Sequence, residues 1–190
     1  MNIVLVHGFL SSGKIFCLMK KRFEERGFKC FAPTLKPIDA KYGLDDLAKK
    51  LKNEIENYFG NEDKFSLVGF SMGGVICRYY LQELNGLQRV NKFISISAPH
   101  HGSYLAYLYP GKGMKQLQPN SDFLKNLNFK ESYLQKISLY SFRTPFDLMI
   151  IPSTSSIWDI AINKKYFSFI HSYMLFSRKV IKDSIDIFLN

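Results

Sequence analysis

The chain has 190 residues, 46% hydrophobic and 22% charged, with 26 basic against 16 acidic side chains and a formal net charge of +10. That length and balance fit one globular domain with a substantial core, and exclude a disordered, collagen-like or coiled-coil chain. The cysteines, Cys17, Cys30 and Cys77, are odd in number and lack metal-ligand spacing, so they read as reduced thiols and not as a disulfide framework.

The chain opens directly on an apolar run, Ile3–Val6, with no basic region before it. It reads as a strand, Asn2–Val6, and not as a secretory signal, and no window approaches the 18 apolar residues of a membrane span. The expected location is the cytoplasm, the alternative being a leader that precedes this sequence. Lys14–Arg26 carries Ile15, Leu18, Met19 and Phe23 on one helical face, with Gly27 as its stop. A second strand follows at Phe28–Ala32. Leu44, Leu47, Leu51, Ile55 and Phe59 then recur every three or four residues, after Asp45 and Asp46 and before Gly60, which predicts a helix with its apolar stripe in the core.

Phe65–Val68 is a third strand, Lys92–Ser97 a fourth and Ile137–Phe142 a fifth, with a weaker sixth at Lys165–Phe169. Helical patterns lie between them, and Ser172–Leu189 reads as a closing amphipathic helix. The alternation predicts a mostly parallel sheet of about six strands with helices on both faces, in one domain spanning 1–190. Residues 101–136 are too long for a simple crossover and hold Pro110, Gly111, Gly113, Pro119 and a short helical pattern at Asp122–Leu127. This stretch reads as an excursion over the sheet edge or as a flap above a substrate.

The stretch with the clearest chemistry is Phe65–Gly74, FSLVGFSMGG. A strand enters the tight turn Gly69-Phe70-Ser71-Met72-Gly73 and a helix leaves it, the context of a G-x-S-x-G nucleophile elbow. Gly69 and Gly73 leave space where side chains would collide, so that the Ser71 hydroxyl can stand clear of the backbone. The histidines are His7, His100, His101 and His171. His7 reads as a loop-shaping residue. His100 and His101 follow the fourth strand, at the same sheet edge as the elbow, and read as loop-shaping residues or as a substrate-side loop. Only His171 lies beyond the last strand region. Among the acids after Ser71, Asp147 lies in the loop that follows the fifth strand, and Asp159 is the alternative.

Taken together, His7-Gly8-Phe9, GFSMGG, the Ala98–Ser103 loop APHHGS and the final His171–Val180 segment resemble compact bacterial lipase/esterase-type α/β-hydrolases. The stretch Asp147-Leu148-Met149-Ile150-Ile151-Pro152 is one residue longer between acid and proline than the family's usual acid motif. The likeness runs from Val4 to Leu189 and is weakest over 34–60 and 128–136. It implies a minimal α/β-hydrolase fold, carboxylic-ester hydrolysis of lipid-like acyl esters, and catalytic Ser71, Asp147 and His171. The backbone N–H groups of Phe9 and Met72 would form the oxyanion hole. No cofactor and no metal site is expected. The same residues would also serve an acyltransferase or thioesterase, and the third reading is an idle scaffold that binds a lipid or partner.

Lysines and arginines cluster at Lys14–Lys29 and Lys164–Lys182, interleaved with aromatics but without a nucleic-acid motif. A solvated basic face accounts for them, and attraction to an anionic membrane surface is the sharper expectation. The partner classes expected are thus a small-molecule or lipid ester and a membrane surface, with no nucleic acid.

Overall fold

The computed structural model describes residues 1–190. Six strands, β1 (Asn2–Val6), β2 (Lys29–Phe31), β3 (Phe65–Phe70), β4 (Val90–Ile96), β5 (Ser138–Arg143) and β6 (Ile162–Lys165), form one all-parallel sheet in the order β2-β1-β3-β4-β5-β6. The helices are α1 (Cys17–Glu24), α2 (Leu44–Phe59), α3 (Met72–Glu83), α4 (Lys112–Gln116), α5 (Asp122–Phe129) and α6 (Arg178–Leu189).

The central strands are apolar on both faces because both are covered, and their side chains part by alternation. Val4, Val6, Leu67 and Phe93 point into one core with the buried faces of α2, α3 and α5. Ile3, Leu5, Val68, Phe70, Ile94 and Phe142 point into the other, against α1 and α6. The α2 stripe is buried as its spacing predicts, and the helix runs to Phe59 with Gly60 at φ 71° beyond it.

Three elements depart from the sequence reading. The first helix begins with a 3-10 turn, Gly13–Phe16, before α1. The closing helix is likewise split, because the Ser177 hydroxyl accepts from the Val180 N–H and starts α6 there, behind a 3-10 turn at His171–Leu175. The sixth strand lies three residues earlier than expected. Asn163 fixes it, with its amide donating to the carbonyls of Trp158 (2.8 Å) and Ala161 (2.9 Å) while its side-chain oxygen accepts from the Trp158 N–H. β6 therefore uses the polar run Asn163-Lys164-Lys165, a composition suited to an edge strand. The aromatic residues of the expected strand, Tyr166, Phe167 and Phe169, belong to the loop beyond it.

Residues 101–136 are a packed insertion. Ala106, Met114, Leu117, Leu124, Leu127 and Leu134 are buried in the α2/α3 core. The insertion is pinned to α2 by the Gln116 side chain, which accepts from the Leu44 N–H and donates to Asp45 (2.8 Å), and by the Lys112–Asp45 ion pair (2.8 Å). Its tip, Tyr104, Tyr107, Leu108 and Tyr109, remains exposed.

Candidate active site

β3 delivers its C-terminal end into a turn that no ordinary residue adopts without strain. Ser71 sits at φ 54°, ψ −126°, between the last residue of β3 and the first of α3. Such a conformation costs about 1–3 kcal/mol and persists where packing enforces it. Here the enforcement is a close approach of backbones. A Cβ on Gly69 would stand 2.6 Å from the Gly74 Cα, one on Gly73 would overlap the Val6 carbonyl oxygen, and one on Gly8 would lie 3.0 Å from the Ser71 Cβ.

Asp147 and His171 meet across two loops at the same sheet edge. The His171 Nδ1–H points at both carboxylate oxygens, at 2.9 and 2.8 Å, and Asp147 Oδ1 also accepts from the N–H groups of Met149 (2.9 Å) and Ile150 (3.1 Å). Burial alone would raise the Asp147 pKa, but the bond to His171, the imidazole charge and the two amides outweigh it and hold the carboxyl below its ordinary range. With Nδ1 engaged, His171 Nε2 is buried and has no hydrogen-bond partner in the chain. The Phe70 ring lies 4.7 Å from the imidazole, so the residue preceding Ser71 seats the His171 ring beside the elbow. No hydrogen bond joins Ser71 to His171.

The loop after β1 faces the start of α3. Met72 opens that helix, where an N–H has no carbonyl one turn earlier to bond, and within the same turn the Gly74 N–H donates to the Ser71 carbonyl at 2.9 Å. The Phe9 N–H makes no hydrogen bond within the chain, whereas its neighbour Leu10 donates to the Ile38 carbonyl at 2.9 Å. His7 holds this loop as the sequence suggests. It is fully buried and accepts the Leu35 N–H at Nε2 (2.9 Å), which leaves its proton on Nδ1 to donate to the Gly8 carbonyl (2.8 Å). Burial pushes its pKa below 6.5, so the ring is a neutral strut.

Ser71, Met72 and Phe9 line a cavity of about 60 Å³ with Leu105, Ala106, Tyr109, Leu117 and Met149. Nine of its twelve lining residues are hydrophobic, and the insertion at 101–136 supplies half of the wall. The slot is narrow and apolar, a shape that admits a hydrocarbon chain in preference to a polar group.

The two histidines of the APHHGS loop do not line the cavity beside Ser71 and instead hold the loop, which sets aside their candidate substrate-side role. His100 is fully buried, with Nε2 2.9 Å from Ser95 Oγ and its ring stacked 4.3 Å from that of Trp158. His101 is exposed and directs its ring at the Ile157 carbonyl (3.2 Å). Pro99 and Ser103 of this loop line the cavity instead. The physical reason is a buried cation that sequence reading missed. Arg78 of α3 is fully buried, donates to the His100 carbonyl (3.3 Å) and to Asn128 Oδ1 (2.9 Å), and lies over the Trp158 ring at 4.8 Å. Glu131 stands 3.8 Å from Arg78 and accepts from Trp158 Nε1 at 3.0 Å. An arginine in an apolar helix face was the only signal available. Asp159, the alternative acid, is exposed in a turn and makes no contact with His171.

A parallel α/β sheet with a strained serine at the turn after its third strand defines a class of protein. The family model described as "alpha/beta hydrolase fold" matches residues 2–168, and the chain belongs to that family. The structure resembles a Bacillus licheniformis lipase, BlEst2, with a TM-score of 0.75 at 21% identity over 99% of this chain and 90% of that one. It resembles Aspergillus fumigatus lipase B with a TM-score of 0.82 at 15% identity, covering 100% of this chain and 52% of that larger one. A polyneuridine aldehyde esterase matches with a TM-score of 0.69 at 18% identity, over 98% of each chain. No curated protein matches the chain in sequence. No helix is long and apolar enough to cross a membrane.

Proposed function

We propose that the protein hydrolyses carboxylic esters with apolar acyl groups through an acyl-enzyme on Ser71, with His171 as base and Asp147 as its orienting acid. The observation that carries this reading is the Asp147–His171 pair seated beside the elbow with Nε2 unpaired. The family and the lipase and esterase neighbours favour the same chemistry.

Ser71 Oγ bonds to the acyl carbon as His171 Nε2 takes its proton, and the carbonyl electron pair moves to oxygen. The Phe9 and Met72 N–H groups receive that oxyanion, a stabilisation absent for the neutral ester. Collapse breaks the ester C–O bond, and His171 returns the proton to the leaving alkoxide. Water then attacks the acyl-enzyme with the same proton transfers, releasing the acid and restoring Ser71. Hydrogen bonds of this kind are often unformed before substrate arrives, so rotation of the Ser71 side chain toward Nε2 belongs to the binding step.

The test is covalent labelling with a fluorophosphonate probe together with turnover of p-nitrophenyl esters. Labelling and turnover by the wild type, both lost in Ser71→Ala with an unchanged circular dichroism spectrum, are expected. A wild type that neither labels nor turns over any ester removes the reading.

A further inference from the structure

We propose that the loop between β6 and His171 is a docking surface for anionic lipid bilayers. The loop is a rigid presentation of aromatic side chains. The buried Thr144 hydroxyl donates to the Ser168 carbonyl (2.7 Å) and accepts from the Ser168 N–H (3.2 Å), tying the middle of the loop to the end of β5. With Ser168 held inward, Phe167 and Phe169 on either side of it stay in solvent, 77% and 74% exposed. Phe146 of the neighbouring loop stacks on Phe169 at 4.9 Å and contacts Phe167 at 6.2 Å, so three rings form one outward cluster. Ile170 and Tyr173 extend it. A water-facing cluster of this size is costly unless something covers it.

The charges around the cluster identify the cover. Arg143 ends β5, Lys165 ends β6, and Arg178 and Lys179 open α6, so the parallel topology sets all four at the sheet edge that carries the aromatic loop. None of them takes part in an ion pair, whereas nearby Lys164 is paired with Asp183. Between residues 143 and 179 the acids are Asp147, which is buried against His171, and Asp159. Exposed rings ringed by unpaired cations match the two layers of a bilayer interface, acyl boundary below and anionic headgroups above. Phe169 stands two residues before His171 and Tyr173 two residues after it, so a docked molecule would bring its active-site edge to the lipid. Docking itself does not rest on the ester reading, because it needs none of Ser71, Asp147 or His171 to react.

The test is co-sedimentation of Ser71→Ala protein with vesicles of phosphatidylcholine alone and of phosphatidylcholine with 30% phosphatidylserine. The inert variant keeps the outcome separate from hydrolysis. Binding to the anionic vesicles at least tenfold tighter than to the neutral ones is expected. Phe167→Ser with Phe169→Ser should weaken it a further tenfold or more, and Lys165→Glu with Lys179→Glu about fivefold or more per site. Thermal melts of each variant within a few degrees of the parent exclude misfolding, since these side chains lie in solvent. Equal binding to both vesicle types, undiminished binding of the phenylalanine variant, or no binding together with concentration-dependent dimerisation would each overturn the proposal.

Discussion

Asp147 holds His171 with both carboxylate oxygens while its own Oδ1 is held by the amides of Met149 and Ile150, two and three residues further along the same loop. The acid is thus oriented by local backbone before it orients the imidazole. An acid fixed in this way also fixes the tautomer, with the proton on Nδ1 and the lone pair on Nε2.

Replacing that carboxylate by an amide separates charge from shape. In Asp147→Asn the amide oxygen can keep accepting from Met149 and Ile150, but the anion that stabilises an imidazolium is gone. Ester turnover should fall about 10⁴-fold at neutral pH with the melting temperature little changed. Steady-state kinetics beside a thermal melt check this, and a loss below tenfold would remove Asp147 from the site.

Two buried histidines make stability depend on pH in a window that Asp147 does not share. Burial holds His7 below 6.5, and burial, with the charges of Arg78 and His101, holds His100 well below it. In the unfolded chain each titrates near 6.5, so below that pH the unfolded state binds more protons and stability falls. The decline continues until the folded-state pKa is reached, at up to about 1.4 kcal/mol per pH unit per histidine. Asp147 does not contribute in this window. Its folded pKa is lowered, so its stabilisation is complete above the ordinary carboxylate range and is lost only on further acidification. Urea denaturation at pH 7.5, 6.5 and 5.5 should give a slope that His7→Gln reduces. Equal slopes in the two proteins would show that His7 is not held neutral.

Much of this arrangement was legible in the sequence because it rests on local signals. The α2 stripe, the β1 run and the elbow glycines each declare themselves within a few residues. The edge strand was not legible, since the aromatics of Lys165-Tyr166-Phe167-Ser168-Phe169 suit a strand by composition, and only the Asn163 bonds to Trp158 and the Thr144 tie to Ser168 decide which residues pair. The place of His100 was hidden for a related reason. Its burial depends on Arg78, Glu131 and Trp158, which lie far apart in sequence and come together only once the insertion is packed.

On the proposed ester reading, acyl length is set by a few side chains of the apolar slot. Leu105 and Ala106 line the cavity together with Ser71. Leu105→Ala should raise kcat/KM for p-nitrophenyl hexanoate relative to the acetate by roughly fourfold per added methylene accommodated, at about 0.8 kcal/mol each. Ala106→Phe should fill the slot and lower the hexanoate rate more than the acetate rate. Unchanged ratios in both variants would place the acyl group elsewhere.

The elbow glycines differ from the helix-stop glycines in what a methyl group would meet, and the difference is measurable. At Gly73 a Cβ would run into the Val6 carbonyl oxygen and approach that of His7 to 2.6 Å, both of them backbone atoms of β1 and its loop that cannot turn aside. At Gly27 nothing lies within 4 Å, and only the φ of +83° opposes a side chain. Gly73→Ala should therefore cost about 3 kcal/mol or more, against about 1 kcal/mol for Gly27→Ala. For a chain of this size those losses correspond to melting points lower by roughly 6–12 °C and 2–4 °C. Differential scanning calorimetry of the two variants distinguishes them, and equal depressions would show that the close packing of α3 against β1 does not hold the elbow in place.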